Sequence, residues 1–429
     1  MRMRYTASTV AVAGLFAACG GETPETSTAE FGIELPAGFT STIFADGLQA
    51  PRHMAVSDNG DVYVALRSSR ATLAPTEGAL VGLRDMDGDG VADQIRHFGP
   101  PNADTGLAIS GDTLYFSSTT AVYALPLDGN LVPSGEPQIV VSGIPESAGG
   151  HASKPIALDV DGHVYTQAGV PSNACEEQPR SPGSAGLDPC PFLEEYGGVY
   201  RLSANARNQV HAEDAIRYST GHRNVVALEW NPSANRLFLV MHGRDQLDEM
   251  WPEHFTLEQR LELPAEEFHA VDQGDDLGWP YTYYDQIRGQ RMLGPEYGGD
   301  GEIPAEQGVY KRPLIGFPGH WAPNDLVFYT GTQFPERYRN GAFIAFHGSW
   351  NRQGGEQGGY AVVFVPMNAA GEVTGEWEIF ADDFEGPNPI TSPAEARHRP
   401  TGLAIGPDGA LYVSDDARGR VWRITYAGA

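Results

Sequence analysis

Short apolar segments alternate with turns rich in glycine, asparagine and aspartate along almost the whole chain. In the first copy of this pattern, an apolar segment at residues 54–56 leads through Asn59-Gly60 into a second apolar segment at 61–64. Two apolar strands joined by an Asx-Gly or Asn-Pro turn are typical of a β-hairpin. The pattern recurs at residues 54–64, 106–116, 156–165, 226–238, 326–344 and 402–413.

Six hairpins, spaced by about 50 to 100 residues, favour separate blades over a single sandwich. We therefore predict an all-β fold, a six-bladed β-propeller in which four-stranded sheets surround a central channel. Helical periodicity is almost absent, apart from a short stretch at 256–263. The wide gaps after the third and fourth hairpins predict long loops on one face, and such loops usually carry function.

The first thirty residues have the features of a processing signal. Arg2 and Arg4 precede an apolar stretch that is too short to span a bilayer as a mature helix, and this stretch ends at Cys19. We predict a lipoprotein signal peptide at 1–18, lipid attachment at Cys19, a flexible tether at 19–30 and the propeller at 31–429. The alternative is a secretory peptide whose cleavage removes Cys19. Either signal exports the protein, and the lipoprotein signal places it on the periplasmic side or at the outer membrane of a bacterium.

Two further cysteines, Cys175 and Cys190, agree with export. In an oxidising compartment they can close a loop of about 16 residues, a link that contributes about 3 kcal/mol in the chain-entropy model. A metal site is disfavoured because no histidine cluster accompanies them. We therefore predict a disulfide bond.

The chain has 28 basic and 56 acidic residues, a net charge of −28. This balance argues against nucleic acid as a partner, because nucleic acid requires a basic surface. Against this acidic background, Arg397 and Arg399 stand two residues apart before the last hairpin. In an extended segment their side chains point the same way, and paired guanidinium groups suit a small anionic ligand that carries carboxylates. Pairing with surface acids is the alternative.

Similar polar residues stand at the ends of other hairpins. His151 precedes the third hairpin, Arg223 and Asn224 precede the fourth, and Asn351 and Arg352 follow the fifth. If each inner strand begins at the channel mouth, these side chains and the two C-terminal arginines meet in one pocket. The sequence therefore predicts a cationic pocket that contains histidine.

Six short motifs, in an unchanged order, connect the chain to a known family. They are Pro171-Ser172-Asn173-Ala174-Cys175, Gly186-Leu187-Asp188-Pro189-Cys190-Pro191, Gly278-Trp279-Pro280-Tyr281, His320-Trp321-Ala322-Pro323, Phe346-His347-Gly348-Ser349-Trp350-Asn351-Arg352 and Arg399-Pro400. On these motifs the chain resembles the soluble quinoprotein glucose dehydrogenases and sorbosone dehydrogenases, six-bladed propellers that hold pyrroloquinoline quinone. The resemblance extends from about residue 31 to residue 426.

The resemblance implies a dehydrogenase that oxidises an aldose or a related sugar aldehyde by hydride transfer to the quinone. Arg397 and Arg399 match the family's carboxylate-binding arginines, and Arg223 with Asn224 matches the pair at the quinone carbonyls. Arg223 would then stabilise charge that develops on the quinone oxygen. His151 matches the general base, a role that suits a side chain with a near-neutral ordinary pKa. The electrons pass on to an external acceptor.

Some positions depart from the glucose enzymes. Asn351 and Arg352 occupy the place where those enzymes use lysine. Gly150 precedes His151, where those enzymes place an aspartate that orients the imidazole. Trp321 or Trp350 is a candidate for stacking on a sugar face, with core packing as the alternative for each.

Calcium is expected at two places. The family holds calcium against the quinone through backbone carbonyls of the segment that reads 242–246 here, so the resemblance implies Arg244 and Asp245 as ligands. A second candidate is visible without any family, because carboxylates alternate around a glycine turn as at the start of an EF-hand loop, although the glutamate at the twelfth position is missing. Its residues are Asp85, Asp87, Asp89 and Asp93. A solvated acidic turn is the alternative there.

Two other functions remain open. One is a calcium-dependent hydrolase of the lactonase type, which requires a cage of carboxylates at the channel centre; the other is a non-catalytic propeller that binds a partner. The polar groups predicted at the channel centre are mostly cationic, which disfavours the hydrolase, and the number and order of the motifs favour the dehydrogenase, since fold alone does not fix function. For the dehydrogenase, the acidic surface suits a basic electron acceptor such as a cytochrome, and a lipid at Cys19 is the expected contact with a membrane.

Overall fold

The computed structural model describes residues 32–68, 77–147 and 150–428. The predicted signal peptide at 1–18, the predicted lipid attachment site Cys19 and the tether at 19–30 lie outside these residues. Within the described ranges, no helix is both long enough and apolar enough to cross a membrane.

The apolar segments form strands, and the strands form six antiparallel blades in chain order. Strand β1 (Phe39–Ala45) belongs to the sixth blade. The first blade contains β2 (Pro51–Val56), β3 (Val62–Leu66), β4 (Leu80–Arg84) and β5 (Gln94–Phe98), and the second contains β6 (Leu107–Ser110), β7 (Thr113–Ser117), β8 (Ala121–Pro126) and β9 (Gln138–Ser142). The third contains β10 (Ala157–Leu158), β11 (His163–Ala168), β12 (Gly198–Ser203) and β14 (Ile216–Thr220), while β13 (Gln209–Val210) pairs in parallel with β9.

The remaining blades follow the same order. The fourth contains β15 (Val225–Asn231), β16 (Arg236–Met241), β17 (Glu266–Val271) and β20 (Ile315–Phe317), with a separate hairpin of β18 (Thr282–Asp285) and β19 (Gln290–Leu293) inserted before β20. The fifth contains β21 (Pro323–Phe328), β22 (Ala342–His347), β23 (Tyr360–Val365) and β24 (Glu378–Ala381), and the sixth contains β25 (Pro400–Ile405), β26 (Leu411–Asp415) and β27 (Arg420–Tyr426). The prediction of a six-bladed propeller is confirmed, and each predicted hairpin is the first two strands of a blade.

The two ends of the described chain close the ring. Strand β1 pairs with β27, so that Phe39 lies opposite Tyr426 and Ile43 lies opposite Trp422. An N-terminal strand thus becomes the outermost strand of the C-terminal sheet, so the sixth blade contains strands from both ends of the described chain. The hydrophobic core is packed between neighbouring sheets; Val64 and Leu80 of the first blade, for example, are fully buried in one cluster with Leu114 of the second.

Helices are few and short in the described ranges: α1 (His211–Asp214), α2 (Leu247–Met250), α3 (Leu257–Glu262) and four 3₁₀ turns at Pro191–Glu194, Pro295–Tyr297, Glu336–Tyr338 and Pro393–Glu395. Helix α3 is the helix expected at 256–263. Thr256 caps it by accepting a hydrogen bond from the backbone N–H of Gln259, while the Gln259 side chain accepts one from the N–H of Thr256.

Long loops leave the second strands of the third and fourth blades, at residues 169–197 and 242–265. In an antiparallel blade the first strand starts, and the second strand ends, on the same face of the propeller. These loops therefore lie on one face, as predicted. Cys175 and Cys190 form a disulfide bond within the first loop, which confirms that prediction, and both sulfurs are buried.

Candidate active site

A cavity of about 210 Å³ opens on the face that carries the long loops. We call it the upper cavity. Its walls come from residues near the starts of first strands and the ends of second strands in the first, third, fourth and fifth blades. The side chains that matter below are Arg52, Arg67, His151, Arg223, Asn224, His242, Asp245, Glu266, His320, His347, Trp350 and Asn351.

Arg223 is a deeply buried cation in the wall of the upper cavity, with 4% of its surface exposed. It precedes β15, and its guanidinium donates to the carbonyl of Gly243 at 2.8 Å and to Asp245 Oδ2 at 2.7 Å. Its Nε is buried and has no hydrogen-bond acceptor among the described residues. Burial lowers the pKa of Arg223, but a guanidinium stays charged because its ordinary pKa is so high. A buried cation with a spare donor therefore faces this cavity.

Two more guanidinium groups, of Arg52 and Arg67, line the upper cavity from the first blade. Arg52 is 2% exposed, donates to Asp416 at 3.3 Å, and has a buried Nε without an acceptor among the described residues. Arg67 directly follows β3, and its backbone N–H donates to the carbonyl of Ala50. Three arginines from two blades thus surround one cavity of a strongly acidic protein.

Asp245 ties three loops together at the rim. Its carboxylate accepts hydrogen bonds from Arg223, from Arg180 at 2.9 Å and from Asn351 Nδ2 at 2.8 Å. Its backbone N–H and carbonyl are bound by the side-chain amide of Asn173 in the disulfide loop. Burial by itself would raise the pKa of Asp245, but the nearby cations hold that pKa far below its ordinary value. Asp245 is therefore an anion that orients Arg223 and the loop at 348–359.

Four histidines line the upper cavity among the described residues. Burial lowers the pKa of His151 to about 3 and the pKa values of His242 and His347 to about 4, and it also lowers the pKa of His320. At neutral pH each ring is therefore uncharged, with one nitrogen protonated and the other able to accept a proton.

His151 has a defined tautomer. Its Nδ1–H donates to the carbonyl of Val170 at 2.7 Å, which leaves Nε2 as the acceptor. Besides burial, the positive charge of Arg223 contributes to its low pKa. The backbone carbonyl of Val170 takes the place of the aspartate that is missing before His151.

Glu266, the first residue of β17, places a second carboxyl group in the cavity wall. It is 2% exposed and accepts hydrogen bonds from the N–H groups of Gly243 and Ala322. Burial raises its pKa to about 7, although those hydrogen bonds and Arg223 act in the opposite direction. Near neutral pH this carboxyl group thus exchanges a proton easily.

The structure brings four of the predicted cofactor and catalytic residues to the upper cavity. His151 and Asn224 stand in one wall, Arg223 lies beside them, and Asn351 reaches the cavity from the loop after β22. Asn224 Oδ1 accepts a hydrogen bond from Gln167 at 3.3 Å.

The predicted position of three arginines must be corrected, because Arg352, Arg397 and Arg399 are not among the residues that line the upper cavity. Arg352 is buried beneath the loop and donates to the carbonyls of Leu261 and Gly319. Arg399 is also buried, and its guanidinium donates to the carbonyls of His347 and Gly348. Arg397 is exposed on the outside. Buried carbonyl groups hold Arg352 and Arg399 under the site, so those two cations support the wall from behind.

Six cavity side chains were not predicted from the sequence, although two of the histidines stood in quoted motifs: Arg52, Arg67, His242, Glu266, His320 and His347. The signal for Arg52 was present, since it stands just before the first predicted hairpin, as Arg223 stands before the fourth. Glu266 had no such signal, because it begins a third strand.

The residues proposed for calcium are arranged in two ways. Carboxylate oxygens of Asp85, Asp87 and Asp89 lie within 4.8 Å of one another on the surface, while Asp93 accepts a hydrogen bond from the backbone N–H of Met86 and closes the turn. The Arg244 side chain is buried in an ion pair with Glu296. Arg244 can therefore offer a cation only its backbone carbonyl.

The two candidate tryptophans differ. Trp321 packs edge to face against Phe346 and Trp377 in the core between blades. Its role is therefore core packing, the alternative to stacking on a sugar. Trp350 lines the upper cavity, is 49% exposed, and has the Arg399 guanidinium 4.2 Å from its ring centre on one side. Trp350 therefore has the exposure needed to stack on a ligand.

A second cavity, of about 470 Å³, lies at the opposite end of the channel. We call it the lower cavity; residues from the first strands of all six blades line it. Most of the residues that line it have apolar side chains, and Glu229 and Asp325 contribute carboxyl groups. Burial raises the pKa of each to about 8.

Comparison with known proteins agrees with this architecture. A family model described as TrAA12-like matches residues 33–427. The holo form of the pyranose dehydrogenase PQQ domain from Coprinopsis cinerea superposes with a TM-score of 0.72 at 18% identity, covering 92% of this chain and 97% of that one. A calcium structure of a Trichoderma reesei enzyme of carbohydrate-active family AA12 gives 0.71 at 19% identity, with 92% and 97% covered. The PQQ-bound aldose sugar dehydrogenase of Streptomyces coelicolor gives 0.54 at 18% identity, with 91% and 99% covered. At these identities the likeness establishes the fold.

Two sequence relatives match shorter stretches. A pyrroloquinoline quinone-dependent pyranose dehydrogenase of Coprinopsis cinerea is 32% identical over 127 residues, which are 26% of this chain and 16% of that protein. An uncharacterized protein of Borreliella burgdorferi is 24% identical over 226 residues, 52% of each chain. The chain thus spans about half the length of one curated relative and a smaller part of the other.

Proposed function

This chain belongs to the TrAA12-like family, and from that premise we propose that it is a sugar dehydrogenase with pyrroloquinoline quinone as its cofactor. The substrate we infer is an aldose or a related sugar aldehyde, and the electrons leave to an external acceptor. One observation carries the proposal: in a protein of net charge −28, three guanidinium groups and four uncharged histidines face the same cavity.

The residues of the upper cavity fit this cofactor. Pyrroloquinoline quinone is a planar ring system with three carboxylates, and arginine binds carboxylates through its planar fork of donors. Arg52, Arg67 and Arg223 supply the positive charge, and the buried Nε atoms of Arg52 and Arg223 have donor capacity to spare among the described residues. Asn224 and Asn351 add amide groups at the same cavity.

When bound, the quinone supplies a two-electron acceptor for hydride. Arg223, fixed by Asp245 and Gly243, would stabilise negative charge that develops on the ligand oxygens next to it. An uncharged histidine of the cavity would accept the substrate hydroxyl proton; the resemblance assigns this role to His151, whose Nε2 is the acceptor nitrogen because Nδ1–H is bound to Val170. Arg352 and Arg399 act at a distance, by holding the loops that carry Asn351 and Trp350.

Calcium is part of the proposal at two sites. Near the quinone, the backbone carbonyls of Arg244 and Asp245 are the candidate ligands, since oxygen atoms are what calcium prefers. The surface turn of Asp85, Asp87, Asp89 and Asp93 is the second candidate, where the first three carboxylates already stand close together.

Export, lipid attachment at Cys19 and transfer of electrons to a basic partner such as a cytochrome belong to the same proposal. The net charge of −28 supports the last of these, because opposite charges speed the encounter of redox partners.

The hydrolase alternative has weaker support. A calcium-dependent lactonase requires free carboxylates around a metal, but Asp245 is bound by Arg223, Arg180 and Asn351. The charge of the cavity wall thus favours an anionic ligand over a metal cage. A non-catalytic binding protein would retain the fold without turnover.

Reconstitution tests the proposal. The apoprotein is mixed with pyrroloquinoline quinone and calcium chloride, and reduction of a redox dye is followed with a panel of aldoses and sugar aldehydes. We expect sugar-dependent dye reduction that requires the quinone. Quinone binding without turnover of any sugar would favour the binding protein, and metal-dependent lactone hydrolysis without quinone would favour the hydrolase.

A further inference from the structure

His347 differs from the other histidines of the upper cavity in the partner that holds its ring. Its Nε2 lies 2.7 Å from Asp416 Oδ1, so Nε2–H donates to a carboxylate. His151, His242 and His320 instead donate to the carbonyls of Val170, Pro323 and Arg260. His320 also lies near Asp245, but at 3.9 Å, beyond hydrogen-bond distance. Within the described ranges, His347 is the cavity histidine that is hydrogen-bonded to a carboxylate.

The fold fixes this pair from two blades. His347 ends β22 of the fifth blade, and Asp416 follows β26 of the sixth. The Arg399 Nε donates to the backbone carbonyl of His347 at 2.9 Å, and Arg52 donates to the second oxygen of Asp416. His347 is 5% exposed and lines the cavity, whereas Asp416 is not among the cavity-lining residues, so Asp416 holds the ring from the side away from a ligand.

A carboxylate behind an imidazole does two things that a carbonyl does less well. It fixes the tautomer, and it stabilises the imidazolium that forms when the ring takes up a proton. With Nε2–H bound to Asp416, the nitrogen of His347 that can accept a proton is Nδ1. His151 lacks such a partner and lies beside the positive charge of Arg223 instead.

The charges around His347 act in both directions. Burial and the cations Arg52 and Arg399 lower its pKa, whereas Asp416 raises it. For His151, burial and Arg223 lower the pKa, and the neighbouring anion is Asp245, which Arg223 already neutralises. The anion next to His347 is thus in direct contact with the ring.

On the basis of the proposed function, we propose that His347, positioned by Asp416, is the residue that accepts the substrate hydroxyl proton in this chain. In this step the O–H bond breaks and its proton moves to Nδ1 of His347. The carbon-bound hydrogen leaves with its electron pair to an ortho-quinone oxidant, so the alcohol carbon becomes a carbonyl and the quinone is reduced by two electrons. The imidazolium is then bound to the Asp416 carboxylate. In this proposal His151 contacts the ligand but does not accept the proton.

The first test needs no cofactor. Apoprotein labelled with ¹⁵N in the histidine rings is examined by long-range ¹H–¹⁵N NMR, with His347→Gln used to assign the His347 signals. We expect the neutral Nε2–H tautomer for His347, and we expect Asp416→Asn to change that pattern while the His151 pattern stays. A His347 ring protonated at Nδ1, or one that does not respond to Asp416→Asn, would overturn the proposal.

The second test compares variants after reconstitution with pyrroloquinoline quinone and calcium. His347→Gln keeps an amide donor toward Asp416 but removes the basic nitrogen, and we expect kcat to fall by about 100-fold or more, as is common for the loss of a general base. His151→Gln should cost about tenfold or less. His163→Gln is the matched control, because His163 also pairs with an aspartate, Asp159 at 2.8 Å, but is not part of the upper cavity. It should leave kcat unchanged.

The outcomes separate the two proposals. If the unaltered protein oxidises no sugar, the proposed function fails, and the role of His347 fails with it. If the unaltered protein is active and His151→Gln loses far more kcat than His347→Gln, the function stands and the assignment of His347 is wrong. Asp416→Asn should also lower kcat and change the pH dependence of kcat/KM, and Asp416→Glu should restore part of the loss. A change in melting temperature without these effects would mean that Asp416 has only a structural role.

Discussion

The two ends of the central channel are built on the same strands but have opposite chemistry. In the upper cavity, loops bring in arginines and uncharged histidines, and the carboxylate of Asp245 is neutralised by direct ion pairs. In the lower cavity, the inner strands supply mostly apolar residues, and Glu229 and Asp325 lack an arginine or lysine partner within hydrogen-bond distance among the described residues.

The difference shows that the surroundings, more than the residue type, decide whether a buried acid is charged. Cations hold the pKa of Asp245 far below its ordinary value, while burial raises the pKa of Asp325 to about 8. A carboxylate loses hydration in both places, but ion pairs compensate for that loss at only one of them. The upper cavity is thus prepared for an anionic ligand, and the lower cavity is not.

The largest effect we predict comes from Arg223. Arg223→Gln removes a buried cation of the upper cavity and leaves Asp245 with less neutralisation, so the affinity for pyrroloquinoline quinone should fall by about 100-fold or more. Equilibrium titration of the apoprotein measures this affinity. Glu229→Gln, the matched change in the lower cavity, should alter it by less than about threefold. Equal losses in the two variants would remove the distinction between the cavities.

The next effect concerns the loop that borders the upper cavity. Replacing both Cys175 and Cys190 by serine frees a loop closed over a sequence separation of 15, and the free energy of unfolding should fall by about 3 kcal/mol. Because Asn173 in this loop binds the backbone of Asp245, quinone affinity should fall as well. Chemical denaturation and quinone titration measure the two quantities. Lost stability with unchanged affinity would show that the upper cavity does not depend on this loop.

A smaller effect, opposite in sign, is expected in the lower cavity. The pKa of Glu229 is raised from 4.5 to about 8, so the folded protein retains a proton that the unfolded chain has lost. The free energy of unfolding must then fall as the pH rises from 4.5 to about 8. Glu229→Gln keeps an acceptor for the N–H of Trp230 and removes this dependence, so at pH 8.5 the variant should be more stable by roughly 2 kcal/mol. At pH 5 the two proteins should nearly agree. Melting curves at both pH values measure the stability difference between the two proteins. An equal difference at pH 5 and at pH 8.5 would contradict the raised pKa of Glu229.

The smallest effect should come from Arg397. Its side chain is exposed outside the upper cavity, so Arg397→Ala should change stability by about 0.5 kcal/mol or less and quinone affinity by less than about threefold. Arg399→Gln is the informative partner, because Arg399 holds the carbonyls of His347 and Gly348. If Arg397→Ala weakened quinone binding strongly, the side chain would have to move into the cavity on binding.

The fold could be predicted from the sequence because each inner hairpin repeats a local pattern of apolar strand and tight turn. Outer strands such as Ile315–Phe317 are too short to give such a signal. For the site, the position ahead of a hairpin placed His151 and Arg223 at the upper cavity correctly. The same rule predicted the wrong position for the Arg399 side chain. Chain position fixes where a backbone lies, but it does not fix which buried carbonyls bind a side chain.

Non-local pairs are beyond this kind of prediction. His347 and Asp416 are 69 positions apart, and the local sequence around either residue does not predict contact with the other. The same holds for Arg223 and Asp245, which meet across a turn of the fourth blade. Such pairs set the charge state of the cavity, so the chemistry of the site needed the three-dimensional arrangement.

The most direct test of the central claim is a crystal structure of the protein soaked with pyrroloquinoline quinone and calcium. We predict that the quinone lies in the upper cavity, with its carboxylates within hydrogen-bond distance of the guanidinium groups of Arg52 or Arg223. The account would be contradicted by a quinone bound in the lower cavity, or by an upper cavity that contains no quinone when the quinone is present at saturating concentration.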